Sequence, residues 1–427
     1  MKVLQFNMTR VSMTVLLAAA LLLAACAPAA TPISAPTTAP AAVAPTVIPA
    51  TSGPAAVATP APASKLISAL DFHNAMRKLW EDHITWTRLY IISAAANLPD
   101  KDLAAQRLLQ NQVDIGNAIK PFYGDDAGSK LTSLLKDHIL GAADLLTAAQ
   151  SGDKTKVAAA SAKWYANADD IATFLNGANP KAWPLADLKA GMKMHLDITL
   201  QEAVDRLGGK YADDIQDYAK VHEHILGLAD LLSNGIISQF PDKFDQTAMN
   251  EFPFRSAMRK LWEDHVTWTR MYIVSVAADL PDKDVTAQRL LQNQADIGDA
   301  LKPFYGDDAG SKLTALLKDH ILGAADLLAA AKAGDSAKVD AASKKWYANA
   351  DDIAAFLSSA NSQAWPLAAM KDGMKMHLDL TLAEAVARLQ GKYAEDIADY
   401  DQVHEHILGL ADALSTGILS QFPDKFK

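Results

Sequence analysis

Eleven histidines occur in this chain, and ten of them form five pairs at a constant separation of 182 residues. The pairs are His83/His265, His138/His320, His195/His377, His222/His404 and His224/His406; His73 stands opposite Arg255 and has no counterpart. Four in the first half share a local pattern: Asp82-His83-Ile84, Asp137-His138-Ile139, Met194-His195-Leu196 and Glu223-His224-Ile225. A neutral imidazole is the commonest side-chain ligand for transition metals. Between these histidines, Asn111 with Asp114 and Asn167 with Asp170 recur at i, i+3, with Asn293, Asp296, Asn349 and Asp352 as counterparts. Imidazoles with carboxylates and amides around them suit copper, iron or zinc. The run Met192-x-Met194-His195 adds a soft donor that leans toward copper. His222 and His224 lie about 200° apart on a helix, so they cannot face one site. His224 aligns with His138 and is read as the inward one. The expected centre therefore holds His83, His138, His195 and His224 in one half, and His265, His320, His377 and His406 in the other. The same residues also fit a buried hydrogen-bonded network that fixes helix register, or the polar lining of an organic-ligand pocket.

Other chemistry is thinner. Glu81, Asp82 and Arg88 in "WEDHITWTR" form a polar cluster, read as salt bridges between or within helices. No Gly-x-Ser-x-Gly elbow occurs, and there is one cysteine, so nucleophilic catalysis has no candidate. Neither Glu-x-x-His nor His-x-x-x-Glu is present. Any likeness to ferritin-like or hemerythrin-like proteins is architectural only.

The histidines need scaffolding, and the sequence supplies it twice. Residues 72–245 align with 254–427 without a gap, about three quarters of the positions being identical. "KPFYGDDAGSKLT" recurs at Lys120 and Lys302, and "VHEHILGLAD" at Val221 and Val403. Apolar residues recur at three- and four-residue spacing, with no sustained alternation of period two. The fold class is all-α, as two tandem helical bundles of about six helices each. In the first unit the helices are expected near 66–97, 101–120, 127–150, 154–176, 184–207 and 210–238. Their ends fall at Pro, Gly and Asp segments such as "LPDKD", "YGDD", "QSGD" and "LGG". Each unit is long enough to be a domain, and residues 66–245 alone are expected to fold as a soluble monomer.

The N-terminus reads as an address. Lys2 and Arg10 precede an apolar run over 11–25, too short to span a bilayer comfortably and suited to a signal peptide. It ends in Leu23-Ala24-Ala25-Cys26, which resembles the lipobox of bacterial lipoproteins at all four positions. The resemblance implies cleavage after residue 25, acylation of Cys26 and anchorage in membrane lipid on the extracytoplasmic face. The chain's only cysteine falls at the one position that needs a thiol. Residues 26–65 are rich in Pro, Ala and Thr, and read as an extended tether. The organisation is thus 1–25 signal peptide, 26–65 linker, 66–245 first repeat and 246–427 second repeat.

The 427 residues carry a net charge of −10. An acidic chain with no basic stripe is a poor partner for nucleic acid. The leading functional expectation is non-enzymatic: a lipid-anchored envelope protein whose bundles bind or scaffold, each holding a metal or small ligand. An envelope protein is a further candidate partner. The rivals are a structural or adhesive surface protein without a ligand, and an envelope metalloenzyme.

Overall fold

The computed structural model describes residues 66–426. Cys26, the signal segment and the tether lie outside the described residues.

Local chemistry sets the helix ends. Ser68 caps α1 (Ala69–Ala95), its hydroxyl accepting from the Asp71 amide at 3.1 Å. α2 (Lys101–Ser151) bends sharply at Gly124, whose φ of 86° and ψ of 170° suit only glycine. That bend is the break expected at "YGDD". Asp153 caps α3 (Lys154–Ala178) by accepting from the Thr155 and Lys156 amides. α4 (Leu185–Leu207) begins after Pro184, and α5 (Tyr211–Gln239) completes the repeat. The second repeat follows the same plan in α6 (Phe252–Ala277), α7 (Lys283–Tyr305), α8 (Asp307–Lys332), α9 (Ser336–Ala360), α10 (Leu367–Leu389) and α11 (Tyr393–Gln421). Gly306, at φ 87° and ψ 168°, separates α7 from α8 just as Gly124 separates the two limbs of α2. Each repeat thus has the six expected helical segments. Two-residue strands β1 (Ile67–Ser68) and β2 (Phe244–Asp245) pair in parallel and tie the start of the first repeat to its end. No described helix is long and apolar enough to cross a membrane.

Within each repeat, successive helices pack side by side and the last returns to the first, α5 against α1 and α11 against α6. The two limbs of α2 meet at Gly116 and Gly128. A methyl group on either would stand 2.6 Å from the carbonyl oxygen of the other, so only glycine permits the approach. This fold-back returns the limb that carries His138 toward α1.

In space the two repeats make one compact body. α1 packs on α6, α5 on α7 and α2 on α11. The apolar core of the first repeat runs on into Trp268, Met271, Val274 and Tyr400 of the second. Contacts across the join exchange equivalent residues: Trp86 packs on Tyr400, and Trp268 packs on Tyr218. That reciprocity is the signature of a twofold-related interface. Covalent duplication has produced what a homodimer would otherwise form.

Candidate metal centre

Three helices of each repeat deliver one histidine to the bundle interior. In the first repeat His83 on α1, His138 on α2 and His195 on α4 have ring centroids 5.8–6.5 Å apart. His224 on α5 stacks on His195 at 5.8 Å. In the second repeat His265, His320 and His377 are slightly closer, at 5.5–6.2 Å, and His406 stacks on His377 at 6.1 Å. One ring nitrogen from each of His265, His320 and His377 lies within 4.8 Å of the others. Metal–nitrogen bonds of 2.0–2.1 Å in a tetrahedral set put ligand nitrogens about 3.3 Å apart. A metal held there would need the nitrogens of His265, His320 and His377 to close by at most about 1.5 Å.

The tautomers follow from the amides beside them. Asn167 donates its Nδ2–H to the Leu134 carbonyl at 3.1 Å, which turns its Oδ1 toward His138 Nδ1 at 3.0 Å. Asn349 does the same between Leu316 and His320. Gln294 donates to the Leu290 carbonyl and to Asn293 Oδ1, leaving its Oε1 3.2 Å from His265 Nδ1. An amide oxygen can only accept, so Nδ1 carries the proton and the Nε2 lone pair is left for a ligand. Orientation of a metal-binding imidazole through its other nitrogen is the usual supporting arrangement. His83, His195 and His377 have buried Nδ1 atoms with no hydrogen-bond partner among the described residues. Leaving such a group unsatisfied costs about 1–3 kcal/mol.

Burial keeps these rings neutral. It depresses His138 and His265 to about 4. It also depresses His83 and His320 to about 3, each helped by the neighbouring histidine of its trio. His195 and His377 fall well below the usual histidine value through burial and the surrounding imidazoles. No carboxylate among the described residues contributes to either trio.

The expected acids are therefore corrected. Asp114 and Asp296 are half-buried and accept from Gln110 and Gln292, their own-helix neighbours. Asp170 and Asp352 are exposed. Asn167 already sits at the margin of the buried face of α3, and three residues more turn the chain outward. Asn111 and Asn293 act one step removed, bonding Leu79 and Leu261 and orienting Gln112 and Gln294. Met194 is exposed, so only Met192 of the Met-x-Met pair is buried.

Reading His222 as outward is also corrected. Its phase relative to His224 is as expected, but the second repeat covers that side of α5. His222 donates from Nε2 to Glu81 at 2.8 Å and faces Asp264 from Nδ1 at 3.3 Å. His404 pairs reciprocally with Glu263 and Asp82. Burial opposes charge on both imidazoles, but the carboxylates outweigh it and raise His222 to about 9 and His404 to about 10. Burial and the charge of Glu81 push Glu263 up to about 8, so this carboxyl holds a proton beside its ionised counterpart. The arrangement is a buried ionic lock between repeats.

These shifts set a pH optimum. Unfolded histidine binds protons near pH 6.5, whereas the trio imidazoles resist them until well below that, His138 and His265 to about 4 and His83 and His320 to about 3. Their stabilising effect is complete above pH 6.5 and is lost as pH falls toward 4. His222 and His404 act oppositely: their stabilisation is complete below pH 6.5 and fades as pH rises through 9–10. The buried carboxyls Glu202, Glu263 and Glu384, raised by burial to about 7, 8 and 8, also disfavour folding progressively above pH 4.5. They are outnumbered by the six trio imidazoles. The urea midpoint of the metal-free chain is expected to peak near pH 6.5. A midpoint that stays level or rises between pH 6.5 and 5 would contradict the neutral trios.

No protein family, curated protein or solved structure matches this chain. What can be defined is a class: a duplicated all-helical bundle with a buried histidine trio in each repeat.

Proposed function

We propose that this protein binds a transition-metal ion in each repeat, held by His83, His138 and His195 in one and His265, His320 and His377 in the other. The observation that carries the reading is the approach of three neutral, buried imidazoles without a carboxylate, of which His138, His265 and His320 are oriented by amides. An all-imidazole set favours copper or zinc over iron, which takes carboxylate more readily. Three protein ligands leave a coordination position open, as in sites that exchange ligands. A lipid anchor at Cys26 would hold this binding protein at the extracytoplasmic face of a bacterial membrane.

A ligand that binds only the folded state raises stability by about 2.7 kcal/mol at a hundredfold excess over Kd. Thermal melts of the full chain with Cu²⁺, Zn²⁺ and Fe²⁺ are expected to show one ion raising Tm by several degrees. The pair His138→Ala with His320→Ala should lose that increment, while His73→Ala keeps it. No response to any of these ions would rule out the metal reading. The anchor has its own test: Cys26→Ser should abolish incorporation of labelled fatty acid in a bacterial host. A Ser variant that is still processed and labelled would refute the lipobox.

A further inference from the structure

One helical turn beyond each histidine trio an apolar cavity lies between the helices, with Val204 or Val386 at its exposed rim. Four residues on from His83, His138 and His195 stand Thr87, Ala142 and Thr199, and all three line a cavity of about 50 Å³. The same step from His265, His320 and His377 leads to Thr269, Ala324 and Thr381, which line a second cavity of about 50 Å³. Side chains four apart on a helix lie one above the other, so each cavity lies directly along the axis from its trio. All fifteen residues lining one cavity recur in the other, although about a quarter of the aligned positions differ between repeats.

Size and chemistry limit the occupant. Sites for organic ligands usually span about 300–1,000 Å³, whereas these cavities admit only a few atoms. Leu, Ile, Ala and one tryptophan, Trp164 or Trp346, form most of the wall. The hydroxyls of Thr87, Thr269 and Thr381 are spent on the carbonyls of His83, His265 and His377 at 2.7–2.8 Å. Among the threonines only Thr199, in the first cavity, has a hydroxyl without a partner, so an ion or a strongly hydrated solute would lose nearly all its water here without replacement. A lining of this kind favours apolar atoms such as xenon over polar solutes.

We propose that each cavity holds a small apolar molecule of diatomic size, of the chemical class of dioxygen, against the open face of the histidine centre. The second half of that statement rests on the metal reading above; occupancy of the cavity does not.

Xenon is the probe. The full chain, metal-free and labelled at its methyl groups, is titrated with xenon under pressure and followed by NMR. Methyls of Leu108, Leu145 and Leu200, and of Leu290, Leu327 and Leu382, are expected to shift together and saturate. Ala203→Phe with Ala385→Phe should fill both cavities and abolish those shifts. If that pair loses its helical circular dichroism, Ala142→Ile with Ala324→Ile serves instead. No saturable shift in the wild-type chain, or the same shifts in a folded filled variant, would overturn the proposal. Metal uptake is measured separately on the same samples. Uptake of metal without xenon binding overturns the cavity alone, whereas xenon binding without metal uptake sustains the cavity and removes its link to a metal.

Discussion

Arg88→Met is expected to destabilise the folded chain by about 3–5 kcal/mol, the cost of leaving buried charge without its partner. Arg88 is 1 % exposed. It donates to Glu202 at 2.8 Å and to Asp214 at 2.7 and 3.1 Å, and lies over the rings of Tyr218 and Trp268. Methionine restores most of the volume but none of the charge. Glu202, already raised to about 7 by burial, will take up a proton. Asp214 keeps one cation, Arg206, at 3.3 Å. Urea unfolding should show the loss as a lower midpoint. Lys189→Ala removes an exposed pair with Asp169 at 3.0 Å and should change stability by no more than about 0.5 kcal/mol. Adding Glu202→Leu and Asp214→Leu to Arg88→Met should restore most of the loss. A cost for Arg88→Met as small as that of Lys189→Ala would mean the network is solvated.

Residues 66–245 produced without the second repeat are expected to form a homodimer. This outcome stands against the monomer that the repeat's length alone suggests, and the reason for expecting it lies in the reciprocity of the join. His222 faces Asp264, and His404 faces Asp82. Arg206 binds Asp282, and Arg388 binds Asp100. Asp82 and Asp100 of the first repeat occupy the positions of Asp264 and Asp282. Two copies of one repeat can therefore rebuild these pairs with each other. One bridge is lost, because Ala219 stands where Asp401 receives Arg107 in the intact chain. Light scattering should give twice the mass of a single repeat. A well-folded monomer at micromolar concentration would show that the interface is dispensable.

How far the sequence could be read depended on the range of the interactions involved. Helices were legible because Gly124, Asp153 and Pro184 act on their immediate neighbours. The histidine cluster was legible because His83, His138, His195 and His224 share a local pattern, but that pattern does not say that His224 stands half-buried beside His195 and outside the trio. Asp114 and Asp170 were misplaced because spacing from an asparagine says nothing of where that asparagine sits on the buried arc. Gln112 and Gln294 gave a signal that went unused: each follows an asparagine of the repeated pattern directly. His222 was misread for a different reason. Its environment is made by the other repeat, and no periodicity within α5 records which of its faces a partner will cover. The charge-rich "WEDHITWTR" reads correctly as salt bridges, though it does not reveal that Asp82 reaches across to His404 of the other repeat while Glu81 and Arg88 pair within their own.

Metal content is the most direct test of the central claim. The full chain is stripped with chelator, dialysed against Zn²⁺ or Cu²⁺ in excess, freed of unbound ion and analysed for metal and protein together. Two equivalents of one metal per chain are predicted, falling to one with His377→Ala and to none with His195→Ala and His377→Ala combined. Less than a tenth of an equivalent in the wild-type chain, or two equivalents that survive the double substitution, would contradict the assignment.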